Sequence, residues 1–199
     1  MSFLQCGKFK LSLERPLIMG VVNVTPDSFS DGGLFADAGQ AAAHARQLIE
    51  EGADILDIGG ESTRPGSLPV ALEEERRRVL PVIEHLASCG VPVSVDTWKP
   101  ELMLEAIAAG ASMVNDINAL GAPGAMEAVA GSGAAVCLMH KQGDPKTMQV
   151  NPSYQDVVRE VRDYLAGRVA AAERAGIIRD RIVVDPGFGF GKNVEHNLA

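Results

Sequence analysis

The hydrophobic residues of this chain fall into short continuous runs rather than into alternating patterns. Five of these runs come after a glycine that ends a helical stretch, at residues 53–58, 91–96, 111–117, 134–139 and 182–185. An earlier run, at residues 17–24, has the same character. Continuous runs of this length, several of them rich in Val and Ile, are typical of strands that are buried on both faces. The pattern therefore predicts six buried strands.

Stretches with helical character separate the predicted strands, at residues 38–51, 72–88, 100–109, 124–132 and 154–175. Each ends near a glycine, which takes the left-handed conformation after a helix without steric cost. Such repetition, with no break in composition, predicts one α/β domain over residues 1–199 with parallel strands and right-handed crossovers. Before the first strand, residues 8–13 alternate between polar and apolar, which predicts a short N-terminal hairpin with its turn near Gly7 or Glu14.

One charged run, EEERRR at residues 73–78, lies within the second predicted helix. At helical spacing its acidic and basic side chains are neighbours one turn apart, with the acids nearer the N-terminus as the helix dipole prefers. We therefore interpret this run as a solvated helix face.

Composition narrows the class of protein. The 199 residues are 46% hydrophobic and 22% charged, which excludes a disordered chain. The net charge of −8 gives no support for a nucleic-acid partner. No apolar run approaches the roughly 18 residues of a membrane span, and the N-terminus lacks a signal-peptide core. Cys6, Cys89 and Cys137 have neither disulfide nor zinc spacing, so we expect reduced thiols in a cytoplasmic protein.

Polar residues end every predicted strand. They are Asn23, Asp57, Asp96, Asn115, His140 and Asp185. In a (β/α)8 barrel the carboxyl ends of all strands form the ligand-binding face, whereas an open sheet concentrates such residues at one switch point. The distribution favours a (β/α)8 TIM barrel, of which this chain would supply about the first six βα units.

Three of these residues suit a flat heterocycle that presents N–H donors. Asp96, Asn115 and Asp185 each end a different strand at one rim, and a carboxylate can accept two parallel N–H bonds from such an edge. Asp54 and Asp116 are interpreted as turn or capping residues, and His140 as a structural hydrogen-bonding residue.

Two glycine-rich loops, at residues 25–33 and 59–66, offer a different chemistry. Backbone N–H groups, the Thr63 hydroxyl and the Arg64 guanidinium could bind phosphate oxygens. The segment 187–192 (GFGFGK) resembles a phosphate loop only superficially, because Pro186 and Asn193 break the Walker pattern.

These motifs resemble those of the dihydropteroate synthases. The likeness rests on NVTPDSFSDGG at 23–33, DIGGESTRPG at 57–66, SVDT at 94–97, VND at 114–116 and DPGFGFGK at 185–192, in the family's order. The resemblance implies a (β/α)8 barrel of folate biosynthesis and a known sulfonamide target. It further implies an enzyme that joins 4-aminobenzoate to dihydropterin pyrophosphate and releases diphosphate.

The resemblance also implies residue roles for the pterin. Asp96, Asn115 and Asp185 would hold the pterin edge, and Met139 would pack against the ring. Asp96 and Asp185 would be catalytic as well, because they would stabilise a cationic pterin while no covalent nucleophile is needed.

For the other substrate parts, the resemblance implies that Asn23 would help to ligate Mg²⁺ on the diphosphate. Thr63 and catalytic Arg64 would lie near the pyrophosphate. Phe29 and Pro65 would wall the aminobenzoate slot.

The length departs from the family. Eight βα units would need roughly 260–280 residues, and the motifs that the family carries on its seventh and eighth strands are absent from this sequence. We therefore expect that this sequence is a fragment of a longer enzyme, and that the full-length enzyme is a homodimer. Two alternatives stay open: a pterin-binding methyltransferase domain, and a non-catalytic truncated pterin-binding protein.

Overall fold

In a computed structural model of the chain, residues 2–25, 34–62, 69–143 and 147–199 are described, the first four residues of the first helix by their backbone alone. The chain opens with the predicted hairpin. Strands β1 (Phe3–Cys6) and β2 (Phe9–Ser12) pair antiparallel. The turn is at Gly7, whose φ of 55° lies in the left-handed region that glycine adopts readily.

The six predicted strands form one sheet in sequence order, and every neighbouring pair is parallel. They are β3 (Met19–Asn23), β4 (Ile55–Gly59), β5 (Val93–Asp96), β6 (Met113–Asp116), β7 (Ala135–Met139) and β8 (Ile182–Asp185). Each expected strand is present, and the sixth has the expected bounds. The expected burial holds for β4 to β7 but is wrong for β3 and β8, which end the described sheet and leave Val21 and Val184 exposed. The order agrees with successive units of a βα barrel, in which each strand pairs with the next along the chain.

Helices connect the strands: α1 (Leu34–Glu50), α2 (Leu72–Leu86), α3 (Pro100–Ala109), α4 (Ala125–Ala130), α5 (Val157–Arg174) and, after β8, α6 (Val194–Leu198). Helix α5 begins three residues later than expected because the Asp156 side chain caps it, accepting from Arg159 N. No helix among the described residues is long and apolar enough to cross a membrane.

The main core lies between the sheet and the helices, where Leu56, Ile58, Val114 and Leu138 of the strands are fully buried. On the opposite face of the sheet, Leu4 and Cys6 of the hairpin form a smaller cluster with strand residues. Those strand residues are Met113, Ala135 and Cys137.

The hairpin covers the N-terminal end of that second face. Strand side chains alternate between faces, so Met113 shares a face with Asn115, and Cys137 shares one with Met139. The same face therefore carries apolar packing at its N-terminal end and the candidate site residues at its C-terminal end.

Candidate active site

Strand register places the predicted pterin residues at one rim. Gly59 of β4 pairs with Asn23 on one side and Asp96 on the other, and Asp96 pairs with Asn115. A Cβ on Gly59 would lie 3.4 Å from Asp96 Oδ2 and 3.7 Å from Asn23 Oδ1. These two side chains therefore converge in front of Gly59, which has no side chain to separate them.

Asp57 also belongs to this cluster. It is the first residue of the motif DIGGESTRPG, but no role was predicted for it from the sequence. It is 3% exposed, and its Oδ2 accepts a 2.8 Å hydrogen bond from Asn115 Nδ2. The signal was present in the sequence, since Asp57 is an ionisable residue within a fully buried strand, ILDIG. An acid at such a position is costly unless it has polar partners.

The buried carboxyl groups of the cluster have raised proton affinities. Burial raises the pKa of Asp96 well above its usual range, and repulsion from Asp57 and other nearby acids adds to the rise. Burial likewise raises the pKa of Asp57, against the hydrogen bond from Asn115. A cationic ligand or an edge of N–H donors would relieve this repulsion, because either stabilises the charged form of a carboxylate.

Asp185 ends β8 at the same level as Met139 of β7, with which it pairs. Its Oδ1 accepts a 2.7 Å hydrogen bond from Gly187 N, and its backbone oxygen accepts one of 2.9 Å from His140 N. Met139 is 4% exposed. The structure thus brings Asp96, Asn115, Met139 and Asp185 to one edge of the sheet.

Four predicted site residues lie outside the described part of the chain. They are Phe29, Thr63, Arg64 and Pro65. Asn23 is described, and its side chain is exposed at the end of β3. Among the described residues, no group of three or more His, Cys, Asp or Glu side chains has the arrangement of a metal site.

An ion-pair network beside the rim was not predicted from the sequence. Lys99 Nζ bonds to Glu61 Oε2 at 2.5 Å and to Glu75 Oε2. Glu75 is 0% exposed, so the interpretation of residues 73–78 as a solvated face is wrong for this residue. The periodicity could have revealed it, because Glu75 shares the buried face of α2 with Val79, Val82 and Leu86.

The structural roles predicted for Asp116, Asp54 and His140 are confirmed. Asp116 accepts from the backbone N–H groups of Asn118 and Leu120, and Asp54 accepts from Ile18 N and Arg15. His140 is buried, and its Nδ1 lies 3.0 Å from Lys192 Nζ. The three cysteines are free.

Comparison with known proteins extends these findings. The sequence profile described as "Pterin binding enzyme" matches residues 19–199. The chain is 53% identical over 190 residues to the dihydropteroate synthase of Escherichia coli K12, covering 95% of this chain and 67% of that protein. For the Neisseria meningitidis serogroup B dihydropteroate synthase the identity is 54% over 200 residues, covering 98% and 70%.

Solved structures agree with the expected barrel. One is Xanthomonas albilineans dihydropteroate synthase with 4-aminobenzoic acid, at 55% identity, a TM-score of 0.90, and coverage of 98% of this chain and 70% of that one. Another is Burkholderia cenocepacia dihydropteroate synthase complexed with 7,8-dihydropteroate, at 50% identity, a TM-score of 0.88, and coverage of 99% and 68%. The chain therefore belongs to the pterin-binding enzyme family and, within it, to the dihydropteroate synthases.

Proposed function

We propose that this chain acts as a dihydropteroate synthase, condensing 4-aminobenzoate with (7,8-dihydropterin-6-yl)methyl diphosphate to give 7,8-dihydropteroate and diphosphate. The observation that carries the proposal is the cluster of Asp57, Asp96, Asn115 and Asp185 at one rim of the parallel sheet. Relatives above 50% identity bear this name, which favours the synthase over a methyltransferase domain or a non-catalytic binding protein.

Recognition of the pterin follows from the acceptors of the cluster. Asn115 donates through Nδ2 to Asp57, so its Oδ1 is left to accept from a ligand. Asp96 and Asp185 add carboxylate oxygens from the neighbouring strand and from β8. Three acceptors at one edge match the amino and ring N–H groups of a pterin.

The reaction then needs charge stabilisation rather than a nucleophilic side chain. The bond from the pterin CH₂ carbon to the diphosphate oxygen breaks, and the amine nitrogen of 4-aminobenzoate bonds to that carbon and loses a proton. Positive charge develops on the pterin as diphosphate departs. The anionic forms of Asp96 and Asp185 stabilise that charge because they are already in place before the reaction.

Binding of the diphosphate would depend on residues whose roles remain predictions. Asn23 presents an exposed amide oxygen at the rim, and oxygen is the ligand atom that Mg²⁺ prefers, so this residue fits the expected metal. A bound Mg²⁺ would neutralise charge on the leaving diphosphate. We propose that Thr63 and Arg64 bind the same group, and that Phe29 and Pro65 contact the aminobenzoate.

Titration calorimetry with the pterin diphosphate, with and without Mg²⁺, tests the site. We expect binding that Asp185→Asn weakens about tenfold or more, since one charged acceptor is lost. Asp180→Asn is the matched control, because it makes the same change at an exposed position in the turn before β8. Equal affinities for the two variants would show that Asp185 does not bind the pterin edge.

Two further measurements separate the parts of the proposal. Diphosphate release on addition of 4-aminobenzoate is expected of the synthase, and its absence would favour the non-catalytic alternative. Mg²⁺ should strengthen binding of inorganic diphosphate, and Asn23→Ala should remove that effect. Indifference to Mg²⁺ would refute the role of Asn23.

Three wider expectations are also proposals. A cytoplasmic location is supported by the three free cysteines, two of them buried. A homodimer of the full-length form is expected from the resemblance alone, and sedimentation velocity of that form tests it. Treatment of residues 1–199 as one domain predicts a single cooperative unfolding transition.

A further inference from the structure

The segment that follows β8 packs its backbone directly against the end of β7. Gly187, Gly189 and Gly191 all have left-handed φ values, of 69°, 79° and 67°. A Cβ on Gly187 would lie 2.0 Å from the backbone oxygen of His140, and one on Gly191 would lie 2.4 Å from that of Gln142. Only glycine permits this approach.

Lys192 ends that segment and turns back into it. Its side chain is buried, with the residue 5% exposed, and Nζ donates to Gly187 O at 3.0 Å and Phe190 O at 3.3 Å. The third neighbour is His140 Nδ1, also at 3.0 Å. An ammonium group has three N–H donors, and here it has three acceptors, provided that His140 carries its proton on Nε2.

The protonation states agree with this arrangement. Burial lowers the pKa of Lys192 to about 8, so the ammonium form prevails at neutral pH. Burial, and then the charge of Lys192, lower the pKa of His140 to about 4, so the imidazole is neutral and can accept. Hydrogen bonds with a charged donor are about twice as strong as neutral ones.

The two principal partners of Lys192 are the residues that hold Asp185. Gly187 N donates to Asp185 Oδ1, and His140 N donates to the backbone oxygen of Asp185. Asp185, Gly187, Lys192 and His140 thus form a closed circuit of hydrogen bonds. The side chain of Lys192 contacts both Gly187 and His140.

We propose that Lys192 is a positioning residue for Asp185: it fixes Gly187 and His140, and thereby the direction in which the Asp185 carboxylate faces the pterin. The inference rests on the proposed function, in which Asp185 binds the pterin edge. Lys192 itself has no contact with the substrate in this proposal, so it acts on affinity only through Asp185.

The segment has other attachments, which makes a variant at Lys192 practicable. Tyr154 Oη donates to Gly191 O at 2.9 Å, and Gly189 N donates to Asn197 Oδ1 at 2.8 Å. Gln149 Nε2 bonds to Gly189 O. We therefore expect Lys192→Met to fold while losing the contacts to Gly187 and His140.

A double-mutant cycle on the full chain tests the proposal. The probe is 6-hydroxymethyl-7,8-dihydropterin, which lacks the diphosphate, and its affinity is measured by titration calorimetry. Lys192→Met should weaken binding about tenfold in the unsubstituted chain, but less than about twofold in the Asp185→Asn background. Lys8→Met, the same change on the exposed side of the hairpin, should leave affinity unchanged.

A merely structural role would give additive losses, and that result, or no loss at all, would overturn the proposal. Amide exchange at Gly187 is a readout independent of pterin, and we expect it to be faster in Lys192→Met. Failure of the unsubstituted chain to bind the probe would instead refute the proposed function, whatever the exchange result. Should Lys192→Met not fold, His140→Phe takes its place in the cycle, with a loss of about threefold expected that Asp185→Asn again removes.

Discussion

Removal of the Lys99 side-chain charge should destabilise the chain severely. Lys99 is the ammonium partner of two carboxylates that come from different elements, Glu61 after β4 and Glu75 in α2. Glu75 is 0% exposed, and the Lys99 and Glu61 side chains are 9% and 16% exposed. Lys99→Met would therefore leave a buried carboxylate without its counter-ion.

Breaking a buried ion pair from one side costs about 3–5 kcal/mol, which is a large part of the stability of a small domain. Burial already raises the pKa of Glu75, and the interaction with Lys99 opposes that rise. In Lys99→Met the pKa of Glu75 should rise further. The stability that Lys99→Met loses relative to the unsubstituted chain should therefore shrink as the pH is lowered from 7 to 5, because the Glu75 carboxyl group then takes up a proton and no charge is buried.

Urea unfolding followed by circular dichroism measures both effects. Lys8→Met serves as the exposed control, and Lys99→Met/Glu75→Gln should recover about 2 kcal/mol because the buried charge is gone. A loss below about 1 kcal/mol in Lys99→Met, or a deficit that stays constant with pH, would refute the reasoning.

Three further predictions follow from particular positions. Gly187→Ala should lower the free energy of unfolding by more than about 2 kcal/mol, because its Cβ would meet a backbone oxygen. Gly189→Ala has open space around it and should cost only the left-handed backbone strain of about 1 kcal/mol. Equal losses of the two variants in urea unfolding would contradict this. Burial raises the pKa of Asp116 to about 6, so the native chain holds that proton more tightly than the unfolded chain and stability should fall as the pH rises from about 4 to 6, by about 3 kcal/mol at most. Asp116→Asn should reduce that slope in a series of urea titrations, and the slope that is left would come from the other buried acids, Asp57, Glu75 and Asp96. An unchanged slope would show that Asp116 does not contribute to it. Iodoacetamide should modify half-buried Cys89 first, since burial raises the pKa of Cys137 to about 12; early mass-spectrometric labelling of Cys137 would count against this.

The ends of helices were predicted less well than the strands. A continuous apolar run marks a strand directly, and the run at residues 182–185 gave the bounds of β8 even though this strand, at the edge of the described sheet, is only partly buried. Helix ends depend on single capping contacts instead. Asp156 starts α5, and Tyr154, which was expected inside that helix, instead donates to Gly191 O.

The order of the polar strand ends was enough to place the candidate site, since parallel strands bring their carboxyl ends to one edge. Asp96, Asn115 and Asp185 each come at the end of an apolar run, and in the structure each lies at or next to the last residue of its strand. The hydrogen-bond partners were not predictable in the same way. Whether the amide oxygen or the amide nitrogen of Asn115 is left for a ligand depends on Asp57, a residue on a different strand.

The sequence by itself determined the fold class, the succession of six strands, and the rim at which the acids and amides collect, because each is set by neighbours along the chain. Tertiary structure decided the pairings. Lys99 with Glu75, Lys192 with His140, and Asn115 with Asp57 join residues 24, 52 and 58 positions apart. Periodicity fixes the face on which a side chain lies, whereas an ion pair or a hydrogen bond depends on which side chain from another element comes within about 3 Å of it.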